Sequence, residues 1–181
     1  MHLQRLRPQL TAVRLAVVVV LLTVAAASAR AAATPPVLRL DLKARTLGGK
    51  PILGRTTHAV IAALGRPAHR TQGPKRARFS YGPEGRWSAI VLFRREGGAL
   101  RSWSVAFTDR RLRDATLGTP LQLAPRRLQH RLVGELGMRV VRPYRCRTTC
   151  RGDAAFPGSR IRVGFGRVGI RPPYLVLYDA V

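Results

Sequence analysis

The chain has 181 residues, 46 % of them hydrophobic and 6 % aromatic, and 33 basic against 8 acidic side chains give a net charge of +25. The basic residues are 30 Arg and only 3 Lys, and no basic run is longer than two. This dispersal, together with the export signal below, excludes nucleic acid as the expected partner.

Residues 1–33 carry the three-part layout of a secretory signal peptide. Arg5, Arg7 and Arg14 are followed by an apolar run from Leu15 to Val24 and by the small-residue stretch Ala25 to Ala33. The charge-free stretch from Leu15 to Ala29 falls short of the about 20 residues a spanning helix needs. Cleavage between Arg30 and Pro35 is therefore expected, giving a secreted protein of the cell envelope or extracellular space with no stable membrane insertion. The alternative is an uncleaved anchor. No cysteine follows the run at a lipobox, which excludes a lipid anchor of that type. The mature chain keeps roughly 150 residues, enough for one domain or two small packed ones. Its charge of about +21 would concentrate polyanions near the surface. That charge fits an arginine-rich solvated surface of a high-GC genome, binding to anionic envelope polymers or lipid head groups, or an acidic protein partner.

In chain order, Pro35-Pro36 marks an extended leader and Val37 to Leu42 alternates as a strand does. From Ile52 to Gly65 the sequence predicts a short helix, capped by Thr56 or Thr57, striped by Val60, Ile61 and Leu64, and stopped by Gly65 and Pro67. Arg70 to Arg76 is a polar loop. Strands follow at Arg78 to Tyr81, Trp87 to Phe93 and Ala99 to Phe107, with Glu96-Gly97-Gly98 as a hairpin signal. Alternation puts Trp103, Val105 and Phe107 on one face and Ser102 and Ser104 on the other. Trp87 and Trp103 are assigned to the core under the helix.

The second part repeats this order. Thr116-Leu-Gly118 echoes Ile52-Leu-Gly54, and Pro125 to Leu136 is a helix with Leu128, Leu132 and Leu136 four apart, ended by Gly137. Strands are expected at Met138 to Arg145, Ser159 to Phe165 and Tyr174 to Tyr178. The expected fold is α+β: two helix-plus-antiparallel-sheet repeats packed side by side, residues 34–110 and 111–181.

Cys146 and Cys150 are the only cysteines, and in an exported chain such a pair is expected as a disulfide closing a short loop between strands. No metal site is expected, because His58, His69 and His130 are scattered. Gly164-Phe-Gly166-Arg-Val-Gly169 has the spacing of a dinucleotide fingerprint, but Arg171-Pro172-Pro173 follows where that chemistry needs a helix. These glycines are read as a sheet turn or bulge, and no cofactor is expected. The serines lie outside any nucleophile elbow and the eight acids are spread singly, so no catalytic residues are assigned; an enzyme whose residues converge from distant positions is the remaining alternative.

Gly54-Arg-Thr-x3-Val60-x3-Leu64-Gly65-x-Pro67, followed by Tyr81-Gly82 and two longer strands, resembles the small repeat of the β-lactamase-inhibitor-protein-like and BamE/SmpA-like secreted domains. Gly118-Thr119, Leu136-Gly137 and Cys146 match it more loosely. The resemblance implies tandem helix-plus-sheet units that grip another protein rather than catalyse. The chain departs from the lipoprotein members in lacking the lipobox cysteine, and from the inhibitor in its single cysteine pair and basic charge.

The expected recognition patch comes from the final hairpin. If a helix covers Ile161, Val163, Phe165, Leu175 and Leu177, then Arg160, Arg162, Tyr174 and Tyr178 emerge on the open face, where Arg and aromatic side chains make effective contacts with a protein or an anionic envelope component.

Overall fold

The computed structural model describes residues 39–82, 87–146, 149–168 and 173–180. The stretch 1–33 expected as a signal peptide and the extended leader expected at Pro35-Pro36 lie outside these residues. Among the described residues the chain is mixed α+β, with two α-helices and two sheets. In order run β1 (Arg39–Asp41), β2 (Thr46–Leu47), β3 (Lys50–Pro51), α1 (Thr57–Leu64), β4 (His69–Gln72), β5 (Arg76–Tyr81), β6 (Ala89–Glu96), β7 (Ala99–Phe107) and β8 (Arg113–Asp114). A single 3-10 turn (Pro120–Gln122) precedes α2 (Pro125–Gly134), β9 (Arg139–Cys146), β10 (Thr149–Ala155), β11 (Ile161–Val168) and β12 (Tyr174–Asp179).

Local chemistry explains the helix ends. The Thr56 hydroxyl accepts from the Ala59 N–H at the start of α1, and Gly65, at φ 81°, closes it by donating to Ile61 O. Pro125 opens α2, where a missing N–H costs nothing.

The larger sheet has eight antiparallel strands in the order β4-β5-β6-β7-β12-β11-β10-β9. The four strands after α1 thus join the four after α2 through the pairing of β7 with β12. Register aligns Phe79, Val91, Val105, Leu177, Val163 and Ala154 in one row across six strands. Every member of that row is fully buried. Val60 from α1 and Leu128 and Leu132 from α2 belong to the same core. Burying each large aliphatic or aromatic side chain contributes about 1.5–3 kcal/mol, so this row and the two helices define the inner face of the sheet.

The smaller sheet, β3-β2-β1-β8, is pinned by Asp114. Its buried carboxylate accepts from the N–H groups of Leu42, Thr116 and Leu117 at 2.9, 3.0 and 2.7 Å. Hydrogen bonds of this kind offset the desolvation of a buried charge.

Three expectations are corrected. The expected polar loop at Arg70 to Arg76 holds β4, whose four residues are all exposed at a sheet edge, so burial left no alternation in the sequence. A whole strand, β10, lies where none was expected. Its Gly152-Asp153-Ala154-Ala155 has weak strand propensity, yet all four residues are buried. Finally, Trp103 is not core. The register between β6 and β7 shifts between Leu92 and Phe93, placing Ser102 opposite Phe93 and Ser104 opposite Leu92. This bulge turns Trp103 to the outer groove, while Ser102 is buried and donates to Ile52 O at 2.5 Å. Trp87 is likewise only half-buried.

Candidate functional site: the outer sheet face

The face of the eight-stranded sheet turned away from the core is partly uncovered. Register places Arg78, Leu92, Ser104, Tyr178 and Arg162 in one row across β5, β6, β7, β12 and β11. Beside it run Ile90, Ala106, Val176 and Gly164, ending on Asp153 of β10. Leu92, Ile90, Ala106 and Val176 are all half-buried, so an apolar strip lies along the middle of the face with arginine toward both ends. At one end Arg76, Arg78, Leu92, Arg94 and Trp103 line an open groove of about 780 Å³. The Arg94 guanidinium lies over the Trp103 ring, 5.7 Å from its centroid, which holds cation and aromatic surface in one place.

The four residues predicted from the final hairpin do not all fall into this strip. Val163, Phe165, Leu175 and Leu177 are buried on the inner face, and Arg162 is the cross-strand partner of Tyr178 on the outer one. Tyr174 stands opposite Gly166. Arg160 precedes β11 and is held by Asp179, with Nε 3.1 Å from Oδ1 and Nη2 2.9 Å from Oδ2. This bidentate bond raises the Arg160 pKa and holds the Asp179 carboxyl below the usual carboxylate range. Arg94 reaches the same carboxylate at 3.6 Å.

Gly164 and Gly166 are neither turn nor bulge, as the sequence reading had them: both sit inside β11 and are buried. A Cβ on Gly164 would stand 2.9 Å from Asp153 Oδ1 and 3.5 Å from Tyr178 Cε1, and one on Gly166 would stand 3.0 Å from the Tyr174 hydroxyl. The two tyrosine rings therefore fold over the glycines of the neighbouring strand, which fills space those residues leave empty. Gly169 lies outside the described residues. Burial raises the Tyr174 pKa.

Beneath the rings is a polar cluster that sequence reasoning missed. Asp153, with its side chain 3 % exposed, accepts from Arg151 Nε and Nη2 at 3.3 Å and from the Tyr178 hydroxyl at 3.3 Å. Arg142 Nε lies 3.6 Å from its other oxygen. The one available signal was a solitary acid in an arginine-rich segment, and Gly152-Asp153 reads as a turn without knowledge of the partner strands. Cys146 and Cys150 are cross-strand partners on β9 and β10 and are joined as a disulfide, as expected from the sequence.

His58 and His130 are exposed on α1 and α2, and His69 begins β4. Among the described residues no group of three or more His, Cys, Asp or Glu side chains is placed to hold a metal. No described helix is long and apolar enough to cross a membrane. The chain matches no known family model, curated protein or solved structure.

Proposed function

We propose that this is a secreted, non-catalytic binding module, built as two helix-plus-sheet repeats side by side, which grips a protein partner of the cell envelope through its outer sheet face. The observation that carries the reading is the composition of that face: a half-buried strip of Ile90, Leu92, Ala106 and Val176, with Trp103 and Tyr178 beside it and Arg78, Arg94 and Arg162 around it. Interfaces concentrate their energy in aromatic and Arg side chains set around an apolar centre. The arginines favour a partner with carboxylates facing them. Helix followed by strands, twice, supports the tandem reading and the resemblance to the inhibitor-like and BamE/SmpA-like domains. The layout of residues 1–33 supports export.

A charge-driven contact with anionic envelope polymers or lipids is the second reading, favoured by three arginines grouped around one acid at the β9–β10 hairpin. Retention of envelope proteins on the immobilised secreted protein, at low and at physiological salt, separates the two. A protein partner is expected to survive the salt step and to lose about 2 kcal/mol of affinity in Trp103→Ala or Arg78→Ala with the melting temperature kept. Retention that vanishes with salt and ignores both substitutions would overturn the protein reading.

A further inference from the structure

The β9–β10 hairpin carries an arrangement of charge that its own fold does not satisfy. Arg145 and Arg151 are direct cross-strand partners, and Arg142 stands opposite Asp153. Like charges directly opposite one another destabilise a strand pair. Asp153 answers only part of this, since it takes Arg151 and, at 3.6 Å, Arg142. Arg145 is exposed and has no ion pair or side-chain hydrogen bond among the described residues. One carboxylate among three guanidiniums leaves two positive charges around an open groove of about 600 Å³, lined by Arg142, Pro143, Arg145, Thr149 and Arg151.

The Arg142 and Arg151 side chains are 59 % and 43 % exposed, so each keeps donors free beyond those given to Asp153. Thr149 adds a hydroxyl. The Cys146–Cys150 disulfide crosses the same two strands immediately beside the Arg145–Arg151 pair, and holds the guanidiniums together against their repulsion.

We propose that Arg142, Arg145 and Arg151 form an oxyanion site that takes a phosphate or sulfate group. Two uncompensated charges match a dianion, and planar guanidinium forks pair bidentately with tetrahedral oxyanions. A carboxylate, with one charge and two oxygens, would leave one fork without a partner. The site uses no residue of the apolar strip, so it stands or falls independently of the docking reading.

The test is titration of the full-length protein with inorganic phosphate at constant ionic strength, read from the arginine Nε–Hε resonances. Saturable shifts at Arg145 and Arg151 are expected. Arg145→Ala is expected to weaken phosphate about tenfold, the loss of one charge-assisted hydrogen-bonding group. Arg145→Lys, which keeps the charge and loses the fork, is expected to fall between. Arg126→Ala, an exposed arginine on α2, serves as the control for net charge. If Arg126→Ala weakens phosphate as much as Arg145→Ala does, or if no resonance saturates, the proposal is overturned. Vesicles of phosphatidylglycerol in phosphatidylcholine identify the source: Arg145-dependent retention assigns a lipid phosphate, and its absence beside intact phosphate binding assigns a soluble or polymeric one.

Discussion

The Tyr178 hydroxyl reaches across β11 to the Asp153 carboxylate, 3.3 Å away on β10, passing over Gly164. Three strands are thereby tied on the outer face by a contact perpendicular to the backbone ladder. The arrangement gives the half-buried Tyr178 a structural role, so its removal reports on folding as much as on recognition. Tyr178→Phe is expected to cost about 1 kcal/mol, the net value of an ordinary hydrogen bond, because 3.3 Å is long for a contact between two oxygens. Asp153→Ala is expected to cost about 2 kcal/mol or more, because it strands Arg142 and Arg151 beside one another. Urea unfolding measures both. An unchanged midpoint in Asp153→Ala would mean that the cluster contributes nothing to the fold.

Two glycine replacements should act in opposite directions. A Cβ on Gly166 would collide with Cys150 O, a backbone atom that cannot step aside, so Gly166→Ala is expected to destabilise by about 3 kcal/mol. Gly134, the last residue of α2, has nothing within 4 Å of its added Cβ. Gly134→Ala is expected to stabilise by about 0.5–1 kcal/mol through helix propensity and a less flexible unfolded chain. Thermal or chemical denaturation of the pair decides it, and two shifts of the same sign would contradict the packing described.

Alkaline pH should reveal Tyr81. Its hydroxyl is buried without a hydrogen-bond partner among the described residues, and burial pushes its pKa up to about 12 from the ordinary 10.0. The folded form is therefore the harder one to ionise. Its contribution is complete below the unfolded value, near pH 10, and is lost as pH rises through the folded value, near 12. Between these limits stability is expected to decline, and Tyr81→Phe is expected to flatten the decline while leaving stability at neutral pH equal or slightly higher. A Tyr81→Phe variant with the same alkaline slope would show that this phenol is not its source.

Where burial is one-sided and the chain alternates, the sequence carried the structure. Ala99 to Phe107 is found as a strand with those bounds, α1 begins and ends at its Thr56 and Gly65 signals, and Val163, Phe165, Leu175 and Leu177 all face the core. Alternation failed in two ways. At β4 both faces are exposed, and at β10 small residues are buried on both faces, so neither strand had a period to read. At Trp103 a single bulge reversed a facing that period-two counting had placed inside. The Asp153 cluster was beyond any local reading, because Tyr178 meets it from 25 residues away and Gly164 matters only through what lies above it. Arg160 was legible as an outward residue, but its pairing with Asp179 depended on the register of β11 against β12.

The pairing of β7 with β12 governs the order in which the sheet can assemble. Strands β4 to β7 can zip locally as successive hairpins, whereas the neighbour that completes β7 is synthesised 67 residues after it ends, behind all seven other strands. Such a high-separation contact closes a long loop before it returns any burial. Until residues 174–179 arrive, Val105 and Phe107 present an unpaired strand edge, the feature that invites aggregation in partly folded chains. On the export route proposed above, the chain would cross the membrane N-terminus first with the hydrophobic row divided for the whole of that passage, and a chain cut before Tyr174 would lose the seam that joins the two sets of strands.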